Sequence, residues 1–64
     1  MKNLKDAVMT AQKMVIETGN KYSVYKNGNG FDVAGYRSKE NGMKIGTAFP
    51  VTVYGKTVSH YKSR

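Results

Sequence analysis

Tyrosines and lysines are the side chains of this 64-residue chain with chemistry to offer. Tyr25, Tyr36 and Tyr54 fall in strand-like runs, Arg37, Lys39 and Lys56 lie within three residues of one of them, and Lys44 lies near the start of the run that Tyr54 ends. Aromatic faces stack on nucleic-acid bases for about 1–3 kcal/mol each, while cationic heads follow the phosphates. This is the chemistry of recognition. Bond-making chemistry is harder to assemble. A nucleophile needs a base oriented by a third group, yet Ser59 and His60 are neighbours in a strand pattern and point to opposite faces. His60 with Lys62 is the one pair suited to metal-free RNA cleavage. Asp32 and Glu40 have no evident acid–base partner, and "NGNG" at 27–30 is followed by no helix N-terminus to cradle a phosphate. Cysteine is absent and His60 is the single histidine, which removes disulfides and leaves a zinc site short of ligands. The expectation is a non-enzymatic protein without cofactor or metal.

Net charge is +7, and it is unevenly spread. Residues 1–20 set Lys2, Lys5 and Lys13 against Asp6 and Glu17, whereas residues 21–64 carry eight basic residues against Asp32 and Glu40. Such a bias is an electrostatic footprint for polyanions. No run of 18 apolar residues would span a membrane, and the N-terminal segment lacks the apolar core of a secretion signal. Together with the missing cysteines, this reads as a cytoplasmic protein.

The elements that must position these groups follow from the periodicity. Leu4, Ala7, Val8, Ala11, Met14, Val15 and Thr18 recur at helical spacing. Asn3 is a suitable N-cap with Asp6 three residues on, and Gly19-Asn20 supplies a left-handed stop. A helix over residues 4–18 is predicted. Met9 and Ile16 fall on a second flank of that helix, which is either taken in by a wide core or is a contact surface for a protein partner or a homodimer.

From residue 21 the period changes to two. "YSVYK", "FDVAGYRS" and "MKIGTAFPVTVY" are separated by "NGNG" and "KENG", strong hairpin signals. A turn at Gly55-Lys56 and a fourth strand "TVSHY" complete an α+β fold, a single domain over 1–64 with the sheet over about 21–61. Pro50 is expected to split the third strand. If the strands form a simple meander in which "ENG" at 40–42 is a three-residue turn with Gly42 left-handed, Val33 faces Phe49 and Phe31 faces Val51. The helix side then holds Tyr22, Val24, Phe31, Val33, Ile45, Phe49, Val51, Val53 and Val58. The opposite side holds Ser23, Tyr25, Asp32, Ala34, Tyr36, Lys44, Gly46, Ala48, Thr52, Tyr54 and Tyr61, with Lys62 and Arg64 near the rim.

Two functional readings follow. In the first, single-stranded RNA or DNA stacks on Tyr25, Tyr36 and Tyr54 while Arg37, Lys39, Lys44 and Lys56 hold its phosphates. In the second, the chain is a small accessory protein, similar in economy to those of tailed phages. It would inhibit or modulate a host nuclease, RNA-cutting toxin or ribonucleoprotein through Met9 and Ile16 or through the exposed strand edge, with lysines steering association.

Overall fold

A computed structural model describes residues 2–38 and 42–64. The chain runs α1 (Leu4–Thr18), β1 (Tyr22–Asn27), β2 (Gly30–Gly35), β3 (Met43–Val53) and β4 (Lys56–Ser63). This is the α+β arrangement expected, an N-terminal helix on a four-stranded antiparallel sheet.

The helix begins and ends where its caps dictate. The Asn3 side chain accepts a hydrogen bond from the Asp6 N–H at 2.8 Å and donates to the Asp6 carboxylate at 3.1 Å. At the other end Gly19 turns left-handed at φ 76° and donates to the Val15 carbonyl at 2.7 Å. Between the caps, Ala7, Ala11 and Val15 form a stripe with no exposed surface. Two of the three are alanines, so the helix backbone lies close to the sheet.

The strand order is β2-β1-β3-β4, not that of a simple meander. β1 is central and pairs with both β2 and β3, so the expected β2–β3 hairpin does not form. Val33 faces Val24 and Phe31 faces Lys26, while Phe49 faces His60 and Val51 faces Val58. Residues 39–41 of the "KENG" segment lie outside the described residues. Burial explains the preference: Val24, 0% exposed, gains apolar neighbours from the helix and from strands on both sides.

Two hairpin turns use the conformations their glycines permit. Gly28 takes φ 62° in the two-residue β1–β2 loop, and the β3–β4 loop is Tyr54-Gly55, at φ 50° and 78°. The second turn therefore lies one residue earlier than the expected Gly55-Lys56. Two positive φ values in succession match the right-handed twist of the flanking strands.

A register shift between Val24 and Tyr25 sets the sidedness of β3. Tyr25 pairs with Lys44 but Val24 pairs with Gly46, so Ile45 is an extra residue and alternation restarts beyond it. Directly paired residues share a face. Ala48 therefore turns towards the helix with Tyr22 and Tyr61, while Thr47, Phe49 and Val51 turn outwards with Lys62, His60 and Val58. Tyr22, Val24, Phe31, Val33 and Ile45 pack on the helix side as expected. Phe49, Val51, Val53 and Val58 do not; Gly46, Ala48 and Tyr61 take the helix side in their stead. Pro50 does not split β3. It sits just beyond Ala48, the last β3 residue paired with β1, where the open edge tolerates a residue without a donor.

Candidate nucleic-acid interface

On the outer face, β1, the end of β2 and the start of β3 bring aromatic rings and cations together. Tyr36, just after β2, is held by its N–H donating to the Lys21 carbonyl at 3.1 Å. That bond places Lys21 beside it, and the Lys21 ammonium lies 5.1 Å from the Tyr36 ring centre. From β3 the Lys44 ammonium lies 4.5 Å from the same ring and 6.0 Å from that of Tyr25. Tyr36 is 44% exposed, so both cations and ring are within reach of solvent.

Beside this cluster is a cavity of about 490 Å³ lined by Lys21, Tyr36, Lys44, Thr47, Phe49 and Lys62, with Gly46, Ser63 and Arg64 completing the wall. Arg64 reaches it because its N–H donates to the Ile45 carbonyl at 2.9 Å, tying the end of β4 to the bulge. A second hollow, of about 430 Å³, continues past Tyr36 to Asn20 and Arg37. No described acidic side chain lines either hollow. Asp32 shares the outer face but bonds to Asn27, whose amide donates to it at 3.3 Å. Five cations bordering two hollows that share Lys21 and Tyr36 give a locally positive, partly apolar surface.

The sequence-predicted residues divide. Tyr36, Lys44 and Arg37 are brought together. Tyr25 shares their face but is only 5% exposed, and its hydroxyl donates to the Ser38 carbonyl at 3.2 Å. It supports the surface from beneath; its ring has too little free face to stack a base. Tyr54 is 100% exposed at the β3–β4 turn, next to Lys56. It lies ten residues along from Lys44, about 33 Å at the rise of a strand, and does not join the cleft. Lys39 lies outside the described residues. Met9 and Ile16 stand on the far side of the helix, 57% and 50% exposed. Among the described residues, no cluster of acidic residues and histidine could hold a metal ion.

Sequence reasoning missed Lys21 and Phe49. Lys21 precedes the first strand and carries no alternation signal. A strict period of two from Met43 to Val53 places Phe49 in the core, where the structure does not put it. A signal was present in Gly46, since an isolated glycine within a strand marks a bulge or a close approach. Here it marks both: a side chain at Gly46 would meet the Tyr61 ring, with Cε1 at 2.9 Å.

Comparison with protein-family models, with curated proteins and with solved structures gives no match. The functional reading rests on the cleft itself.

Proposed function

We propose that this chain is a small basic protein that binds single-stranded nucleic acid on the outer face of its sheet, with Tyr36 as the stacking ring. The observation that carries this reading is the Tyr36 ring flanked by Lys21 and Lys44 at the mouth of a cleft that also holds Phe49, Lys62 and Arg64. In the unbound protein the two ammonium groups rest on the ring, an interaction of about 0.5–1 kcal/mol at an exposed site. A nucleotide offers each group something better. The phosphate draws the ammonium heads away, and the freed ring face gains about 1–3 kcal/mol from a stacked base. Stacking and the phosphate contacts together outweigh the two cation–π contacts they replace, so the lysines keep the ring face ready without blocking it. Phe49, its ring 6.1 Å from that of His60, gives a second apolar wall.

Titration of fluorescent single-stranded RNA, single-stranded DNA and duplex DNA at three salt concentrations tests the proposal. Single strands are expected to bind with a slope of about −0.7 per phosphate neutralised on a log–log salt plot. Tyr36→Ala is expected to weaken binding roughly 5- to 150-fold, the equivalent of one stacked base. Equal affinity of the wild type and Tyr36→Ala for all three polyanions would reduce the surface to generic charge. The exposed Met9 and Ile16 support a second reading, in which a protein partner docks on the helix. A salt-insensitive protein complex lost on Ile16→Asp would favour it.

A further inference from the structure

We infer that the cleft receives a nucleotide unit carrying more than one negative charge: the phosphorylated end of a strand, or the chemically equivalent free nucleoside polyphosphate. This rests on the outer face being a nucleic-acid surface and specifies what that surface selects. The first argument is charge density. Lys21, Lys44, Lys62 and Arg64 converge on one cavity of about 490 Å³, within the roughly 300–1,000 Å³ of small-ligand sites. An internal phosphodiester brings a single charge to such a space. A terminal phosphate monoester brings about −1.5 to −2 near neutral pH, and a polyphosphate brings more.

The second argument is where the cations stop. Beyond Phe49 the outer face of the β3–β4 hairpin presents Val51, Val58 and His60, and no lysine or arginine appears on that face before Lys56 at the turn. A strand running through would leave its phosphates over valines. On the opposite side the basic surface continues past Tyr36 to Arg37 and Asn20. The chain of nucleotides therefore enters over Arg37, stacks on Tyr36 and ends against Phe49, with its last phosphate among Lys44, Lys62 and Arg64. Thr47, paired with Lys62 on the outer face, puts a hydroxyl group on the wall of the same cleft.

The test uses twelve-nucleotide single strands bearing a 5′-phosphate, a 3′-phosphate or hydroxyls at both ends, and a closed circle of the same sequence. One phosphorylated form is expected to bind about tenfold tighter than the hydroxyl-ended strand and the circle, the effect of added charge-assisted hydrogen bonds. Lys62→Ala is expected to bring that ratio towards one. Competition by a nucleoside triphosphate, but not by inorganic triphosphate, identifies a ring-plus-phosphate ligand. If the triphosphate competes well and strand ends make no difference, the free nucleotide is the ligand. Equal binding of linear, phosphorylated and circular strands, still weakened by Tyr36→Ala and with no nucleotide competition, would overturn end recognition and leave the outer face as a nucleic-acid surface. No binding of any strand or nucleotide would overturn both.

Discussion

On the helix side of the sheet, Val24 and Ala48 meet Ala7, Ala11 and Val15 with no exposed surface. On the outer side, Tyr25 is buried beside Lys44, whose ammonium group lies over the Tyr25 and Tyr36 rings. One face is closed by volume, the other is left open and set by charge. The contrast follows from where the helix lies. Its alanine stripe allows close approach, and close packing at native density leaves no room for added atoms. With no second layer of described structure over the outer face, that face gains less from burial and is free to serve a ligand. Substitutions on the first side should therefore read out in stability, and those on the second in affinity and salt dependence.

The sharpest way to break this comparison is to swap size between the faces. Ala11→Leu adds three carbons where there is no space, and overpacking of this kind costs about 1–3 kcal/mol. At about 0.05–0.15 kcal/mol per residue, a chain this short has only roughly 3–10 kcal/mol in total. Urea denaturation should show a large loss of midpoint for Ala11→Leu and a change within about 0.5 kcal/mol for Lys62→Leu, a replacement at an exposed position of the outer face. Equal losses for the two would mean that the outer face is as tightly built as the inner one.

Gly46 offers a more local probe. The Tyr61 ring lies where its Cβ would be, with Cε1 at 2.9 Å, so Gly46→Ala must displace either the ring or the bulge. The expected cost is about 1–2 kcal/mol by the same overpacking argument. Tyr61→Leu in the same chain should recover part of it, because the blocking ring is gone. A Gly46→Ala variant as stable as the wild type would show that the bulge yields readily. The outer cleft would then be expected to lose affinity in its place, since Gly46 and the bulge set the position of Lys44 and Phe49.

These two probes also mark what could be read from the sequence. The helix was legible to the residue because every signal is local: the Asn3 cap, the Asp6 partner, the apolar spacing and the Gly19 stop all lie within the element they define. Both hairpin turns carry glycine and were legible, one of them a residue out of place. Strand order was not. Whether β3 pairs with β2 or with β1 depends on which pairing surrounds Val24 with apolar neighbours, a property of four segments at once. The cleft was half legible for a related reason. Tyr36 and Lys44 lie before the bulge and kept the expected face, whereas Phe49, Ala48 and Tyr61 depend on the register beyond Ile45 and changed sides. A single inserted residue decides whether a phenylalanine fills the core or lines a binding surface.

The smallest effect expected is a pH dependence confined to the helix side. Burial of Tyr61 raises its phenol above the ordinary value of 10.0. Below about pH 10 the group is neutral in both folded and unfolded chains and contributes no pH dependence. As pH rises further, the unfolded chain gives up this proton first, so it holds fewer protons than the folded one. Stability then falls with pH until the folded phenol also titrates. Tyr61→Phe keeps the ring and removes the proton, so its stability should decline less than that of the wild type between about pH 9 and pH 11.5. Every other side chain is common to the two proteins, so the difference between the two curves isolates Tyr61. Parallel curves would mean that the Tyr61 hydroxyl is as well solvated folded as unfolded. The packing of β4 under the helix would then be looser than that of Val24 and Ala48, and the closed face of the sheet would end at β3.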